Sequence, residues 1–222
     1  SQPDPVAQSR EDYSVYDPDA EPGYAISSFR SYADVARAYG ERAVPKAAVT
    51  PRIEALAREI VGNETDPRGQ ARAIYTWVVK NITYGGNCIG IGAVVPHDLD
   101  FVLDNRMGDC KDHATLLDAL LGAQGIDSDQ ALINAGSVYT LPEVPVVSMV
   151  NHVINYLPGL DLYLDATSKT TAFGMLPWGD EDKPVLLVEH DGQQRRTPAT
   201  APGTNTQSTH ATIVIGPDGR AH

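Results

Sequence analysis

Cys110, His152 and Asp165, in that chain order, supply a candidate nucleophile, base and orienting carboxylate. Cys110 lies in Arg106-Met107-Gly108-Asp109-Cys110-Lys111-Asp112-His113, where a loop turns into an amphipathic helical pattern. A thiol attacks as its thiolate, a form favoured by the partial positive charge of a helix N-terminus and by a protonated imidazole nearby. His152 falls in a strand-like run and Asp165 closes the next one. In this arrangement Cys110 attacks an acyl carbon, His152 takes or already holds its proton, and Asp165 fixes the imidazole tautomer. The Cys110 backbone N–H at the helix start offers one oxyanion donor, and Trp77, Tyr84 and Asn87 are candidates for a second. Asp109 and Asp112 oppose ionisation of the thiol. They are expected to cap the helix and point away from the sulfur, with Lys111 partly offsetting them.

Turn chemistry connects the base to its carboxylate. A two- or four-residue hairpin loop centred on Pro158-Gly159 sets His152 directly opposite Asp165, with Val150, Ile154, Tyr163 and Thr167 on the same face. Opposed side chains in an antiparallel pair have Cβ atoms about 5 Å apart, a distance that suits an imidazole–carboxylate hydrogen bond. A three-residue loop would put the two residues on opposite faces.

The elements that must position these groups follow from local signals. Residues 28–42 have helical spacing at Phe29, Tyr32, Val35, Ala36 and Tyr39. Thr50-Pro51 and Asp66-Pro67 each pair an N-cap with proline at the first helical position, and they open helices to about Val61 and Asn81. On the second of these, Ala71, Ile74, Trp77 and Val78 form the expected buried stripe. Residues 82–97, with four glycines, read as a close-packed loop, and residues 96–105 as a short helix. After Cys110, Leu116, Leu117, Leu120 and Leu121 form a buried stripe ended by Gly122 and Gly125. Strand-like runs follow at 129–135, 146–157, 160–167 and 184–190. Helices first and strands after, joined by hairpin-length links, predict an α+β fold with the cysteine-bearing helix packed on an antiparallel sheet. Residues 1–27 read as an extended arm, 28–196 as the catalytic domain, and 197–222 as a linker with an orphan strand at Ala211–Ile215 leading to a further region.

Composition narrows the partners. The 222 residues carry a formal charge of −12, and no Lys/Arg-rich stretch is present to meet nucleic-acid phosphates. No apolar run approaches the roughly 20 residues that span a bilayer, and Ser1-Gln2-Pro3-Asp4 reads as the start of a mature or trimmed chain. Gly90-Ile91-Gly92 lacks the context of a phosphate loop. His97, Asp98, Asp109, Cys110, Asp112 and His113 include zinc-ligand types but no CxxC or HExxH spacing, and no spaced-carboxylate calcium loop stands out. Neither metal nor cofactor is expected. Cys88 reads as a buried or loop thiol; a disulfide to Cys110 would block the nucleophile. Trp178, between Pro177 and Gly179, is a candidate cleft residue.

An isolated cysteine in such a helix is commonly a small buried hydrophobe. Its company argues otherwise. The block Ala73-Ile74-Tyr75-Thr76-Trp77-Val78-Val79-Lys80-Asn81-Ile82-Thr83-Tyr84, the run Arg106 to Leu117 with Gly108-Asp109-Cys110-Lys111-Asp112, and Asn151-His152-Val153 with Leu164-Asp165-Ala166-Thr167 together resemble the transglutaminase-like superfamily. They resemble in particular its bacterial secreted or envelope-associated branch. His113 departs from the helix former expected at that position. The resemblance spans about residues 50–190. It implies a papain-like Cys-His-Asp core, a periplasmic or extracytoplasmic location and membership of a longer multidomain protein. It also implies a thiol-dependent acyl-transfer enzyme acting on amide bonds of a protein, peptide or cell-wall-type substrate. That superfamily includes transglutaminases, peptidases, amidases and inactive forms. The alternative is a catalytically inactive module that binds peptides or glycopeptides.

Overall fold

Capping chemistry sets the helical half, as the computed structural model shows for residues 15, 17, 24–86, 90–201, 203, 208–215 and 217. Asn87, Cys88 and most of the expected N-terminal arm lie outside the described residues. Helix α1 spans Tyr32–Ala43, with Ser31 accepting from the Asp34 N–H. Helix α2 spans Pro51–Val61 with Thr50 accepting from Ile53, and α3 spans Pro67–Asn81 with Asp66 accepting from Gly69. Both proline starts therefore fall where the sequence sets them. On α3 the buried residues are Ala71, Ile74, Tyr75, Val78 and Val79, while Trp77 is only partly buried. The apolar stripe is rotated by a fraction of a turn from the expected one.

A two-residue strand β1 (Thr83–Tyr84) pairs in parallel with β2 (Met107–Gly108). Between them lies α4 (Leu99–Asn105). Helix α5 (Cys110–Gly122) follows directly, so the small ladder clamps the loop that delivers Cys110. Thr83 N donates to Arg106 O at 2.8 Å and Gly85 N to Gly108 O at 2.9 Å. Leu116, Leu117, Leu120 and Leu121 are fully buried in a core shared with α2, α3 and α4.

The strand half is one antiparallel sheet in the order β5-β4-β3-β6-β7. Its strands are β3 (Asp129–Ile133), β4 (His152–Leu157), β5 (Leu162–Leu164), β6 (Pro184–Leu187) and β7 (Gln194–Arg196). β7 has three exposed polar residues and no apolar alternation, so sequence pattern gives it no signal. Leu132, Val153 and Leu186 pack toward α1 and Ala114 of α5. Ala131, Ile133, Ile154, Tyr156, Tyr163 and Val185 form a second apolar layer on the other face. Buried Asn155 ties β4 to α5 by donating to Ala114 O at 3.0 Å. The segment Ala211–Val214 has no strand geometry, and Ile213, Val214 and Ile215 are exposed, so the expected orphan strand is not formed. Ile215 makes a single isolated bridge, which is too short to be a strand.

Gly108 is required by contact. A Cβ there would lie 2.5 Å from Asp112 Cβ, an atom fixed by the first turn of α5. Gly108→Ala is expected to destabilise the protein by about 1–3 kcal/mol through overpacking, read from urea unfolding. It should also lower the rate of Cys110 alkylation in the folded protein, because the clash falls on the turn that aims the thiol.

Candidate active site

Cys110 is the first residue of α5, half-buried, with a free thiol. The turn before it is fixed by polar groups that the fold buries. Asp112 accepts from the Asp109 N–H (3.1 Å) and from the His97 N–H (2.7 Å), and its Oδ2 lies 3.0 Å from His97 Nδ1. Lys111 Nζ donates to Asp109 Oδ2, and both side chains are about 4% exposed, so the charges neutralise each other inside the protein. His113 sits in the same buried turn, with Nδ1 at 2.8 Å from Asp109 O. The carboxylates flanking the thiol are thus engaged by partners of their own.

His152 is the first residue of β4, and its Nε2 lies 3.1 Å from Asp165 Oδ2. Asp165 Oδ1 accepts from Thr167 N at 2.8 Å and from Thr167 Oγ1 at 2.6 Å. Tyr75 Oη on α3 donates to the Asp165 carbonyl at 3.2 Å and to the Thr171 carbonyl at 3.0 Å. The helical half therefore grips the segment that carries the carboxylate.

The register that joins them differs from the expected one. Tyr156 pairs with Tyr163 and Leu157 with Leu162, a shift of two residues. The loop is Pro158–Asp161, a tight helical turn closed by Asp161 in the left-handed conformation at φ 45°. A shift of two keeps every side chain on its own face. His152 and Asp165 therefore remain on one face and meet diagonally rather than directly opposite.

Both groups are pushed far from their ordinary ranges. Burial disfavours the His152 cation, yet hydrogen bonds to Asp165 and Cys110, together with the charges of both, raise its pKa to about 10. Burial would raise the Asp165 carboxyl, but the hydrogen bond and charge of His152, with the two Thr167 donors, hold it at about 2. Nε2 is committed to Asp165, which leaves Nδ1 as the ring nitrogen for the thiol.

Cys110 and His152 line one cavity of about 520 Å³. Its walls are largely apolar, among them Phe29, Tyr39, Ile91, Val94, Val147 and Val150, and Arg42 is an exposed cation among them. Trp77 lines a separate cleft with Glu59, Thr76 and Lys80, its ring 5.1 Å from the Arg106 guanidinium. Tyr84 is half exposed with its ring centroid 6.0 Å from that of His113. Neither residue is in the described lining of the Cys110 cavity. Trp178 is 65% exposed and is not among the described lining residues either.

One residue that sequence reasoning passed over lies against this group. Ligand-type atoms of His152, Asp165 and Asp180 all fall within 4.8 Å of one another. These three atoms are the only candidate metal set among the described residues, and Nε2 of the imidazole is already engaged with Asp165. Asp180 ends the short turn Trp178–Asp180 and is 1% exposed. A Trp-Gly-Asp turn carries no local pattern that would have marked it.

The comparisons with known proteins agree with this architecture. Residues 54–135 match the family model of the transglutaminase-like superfamily. A structure of a candidate protease from Parabacteroides distasonis superposes with a TM-score of 0.60 at 17% identity, covering 78% of this chain and 32% of that one. A candidate cysteine protease from Cytophaga hutchinsonii gives a TM-score of 0.41 at 20% identity over 56% of this chain and 42% of that one. The first likeness establishes a shared fold; this chain spans about a third of that structure's length. No curated protein matches the chain significantly in sequence.

The shifted pair sets a pH window for stability. His152 binds its proton more tightly when folded, so its contribution is complete below its ordinary value of 6.5 and is lost as the pH rises through about 10. Asp165 contributes above its ordinary value of 3.8 and loses that contribution as the pH falls through about 2. The difference in unfolding free energy between the parent and His152→Ala, from urea melts, is expected to be largest between those two ordinary values and to shrink steadily toward pH 10.

Proposed function

We propose, from the premise that residues 54–135 are transglutaminase-like, that this protein is a thiol-dependent acyl-transfer enzyme acting on amide bonds. Cys110 is the nucleophile, His152 the acid and base, and Asp165 the orienting carboxylate. The observation that carries the reading is the imidazole that hydrogen-bonds a doubly anchored carboxylate and lines one cavity with the thiol. The unit assigned this chemistry is residues 28–196.

The Cys110 sulfur attacks the amide carbon, and the carbonyl π electrons move to oxygen. The Cys110 N–H belongs to the first turn of α5, where helix geometry leaves N–H groups without intrahelical acceptors, and it faces the developing oxyanion. Collapse breaks the C–N bond as His152 passes its proton to the departing amine. Water then adds to the thioester, giving its proton to His152, and the sulfur leaves. An amine in place of water would give transamidation; hydrolysis is the favoured course because water is always at hand. The substrate is a protein, peptide or cell-wall-type amide, and the location is extracytoplasmic. Among the described residues no helix is long and apolar enough to cross a membrane.

The apolar walls of the cavity suit an uncharged, bulky group on the acyl side of the scissile bond. Burying one methylene is worth about 0.8 kcal/mol, or about a fourfold effect. Activated esters of lengthening alkyl acids should therefore acylate Cys110 progressively faster, by up to about fourfold per methylene until the cavity is filled. Ala38→Trp, on the α1 wall, should flatten that series.

The central test is the pH–rate profile of Cys110 alkylation by iodoacetamide, with Cys88→Ser throughout. Alkylation already fast well below about pH 8.5, and slowed when His152→Ala is added, is the expected result. A slow rate with no inflection below about pH 8 and no response to His152→Ala would sink the catalytic reading and leave a binding module.

A further inference from the structure

Asp165 and Asp180 are two buried carboxylates beside one imidazole, 3% and 1% exposed. A carboxylate oxygen of each and a ring nitrogen of His152 all lie within 4.8 Å of one another. Two buried carboxylates this close repel and neither can donate, whereas a proton on one lets it donate to the other. The two residues differ in what else surrounds them. Asp165 receives His152 Nε2, Thr167 N and Thr167 Oγ1, all donors that favour the anion. Asp180 Oδ2 is buried with no hydrogen-bonding partner of that kind. Lys183 is the other positive charge acting on Asp180, but its Nζ donates to the Gly136 and Val138 carbonyls. The proton therefore belongs on Asp180.

We infer that Asp180 is a positioning residue for the triad: as a neutral acid it donates to Asp165, and its ionisation switches the strength with which Asp165 holds His152. This rests on the catalytic reading above and deepens it. With Asp180 neutral, part of the Asp165 charge is spent on the Asp180 O–H, and His152 releases its proton to a leaving group more readily. With Asp180 ionised, a second negative charge stands within 4.8 Å of the imidazolium and holds that proton harder. The proton leaves to solvent, and no bond other than O–H is made or broken.

The groups acting on Asp180 set where this happens. Burial is the largest influence and raises its pKa. The Asp165 charge and the hydrogen bond to it also raise it, while the positive charges of His152 and Lys183 lower it, and the result is about 7. The switch therefore falls near neutrality. Because the two carboxyls titrate as a pair, the observable is a step in the pair's behaviour rather than the titration of one isolated acid.

The test is an NMR titration of the His152 ring nitrogens in the full chain between about pH 5 and about pH 9, a span that brackets neutrality. It compares the parent with Asp180→Asn and Asp180→Ala. The parent is expected to show a shift step near neutral pH while both ring nitrogens remain protonated. Asp180→Asn, a neutral donor at every pH, should match the parent below the step and lack the step. Asp180→Ala should lack the step and differ from the parent at low pH as well, because the donor is gone. A parent with an imidazolium throughout but no step overturns the role of Asp180 and leaves the catalytic reading intact. A His152 that titrates near about 6.5, as a free histidine does, overturns both. The parent titration decides between these outcomes even if neither variant folds.

Discussion

The first turn of α5 is buried together with its charges, and the other elements are arranged to make that tolerable. Lys111, Asp112 and His113 follow Cys110 directly and are each 1–3% exposed. Unpaired charges in such a place would be destabilising by several kcal/mol, whereas paired and hydrogen-bonded ones are tolerated. The partners come from different parts of the chain: Asp109 from the preceding turn, His97 from the loop before α4, and Ile82 from the end of α3, whose carbonyl lies 3.4 Å from His113 Nε2. The β1–β2 ladder and α4 thus do more than connect helices. They close a polar cage around one helix terminus and so fix where the thiol points.

That cage also explains which parts of the fold were readable in advance. Thr50-Pro51 and Asp66-Pro67 define helix starts through contacts three residues away, and so their meaning is local. The leucines of α5 show their buried face by spacing alone. By contrast, Lys111-Asp112-His113 look like a solvated turn, because charged residues seldom lie inside. Only long-range partners such as His97 reveal that they do.

The proposed triad sits between these extremes. Its residue types and order were legible, as was the shared face of His152 and Asp165. The exact pairing was not, because Leu160 and Asp161 extend the turn and slide the register by two. The period of two in a strand protected the functional inference from that error, since an even slip preserves the face. Asp180 had no such protection. It reaches the site through the packing of a turn fifteen residues beyond Asp165, and nothing periodic or local distinguishes it from Asp182, which makes an exposed ion pair with Arg196 nearby.

Electrostatics join these pieces into one argument. Along the line Cys110, His152, Asp165 and Asp180, three groups can carry negative charge and one positive, in a place where water screens little. If all three ionised together, the imidazolium would face two uncompensated anions, an arrangement that burial opposes. Thr167 spends both its donors on Asp165, and Asp165 therefore keeps its charge while Asp180 holds a proton. Lys183 could in principle neutralise Asp180, yet two main-chain carbonyls hold its ammonium and burial lowers its own pKa to about 8. The second carboxyl is consequently left responsive to pH rather than locked as an ion pair. A stable His–Asp contact could be made as well beside an apolar side chain at position 180, so an acid there fits the tuning of the imidazole.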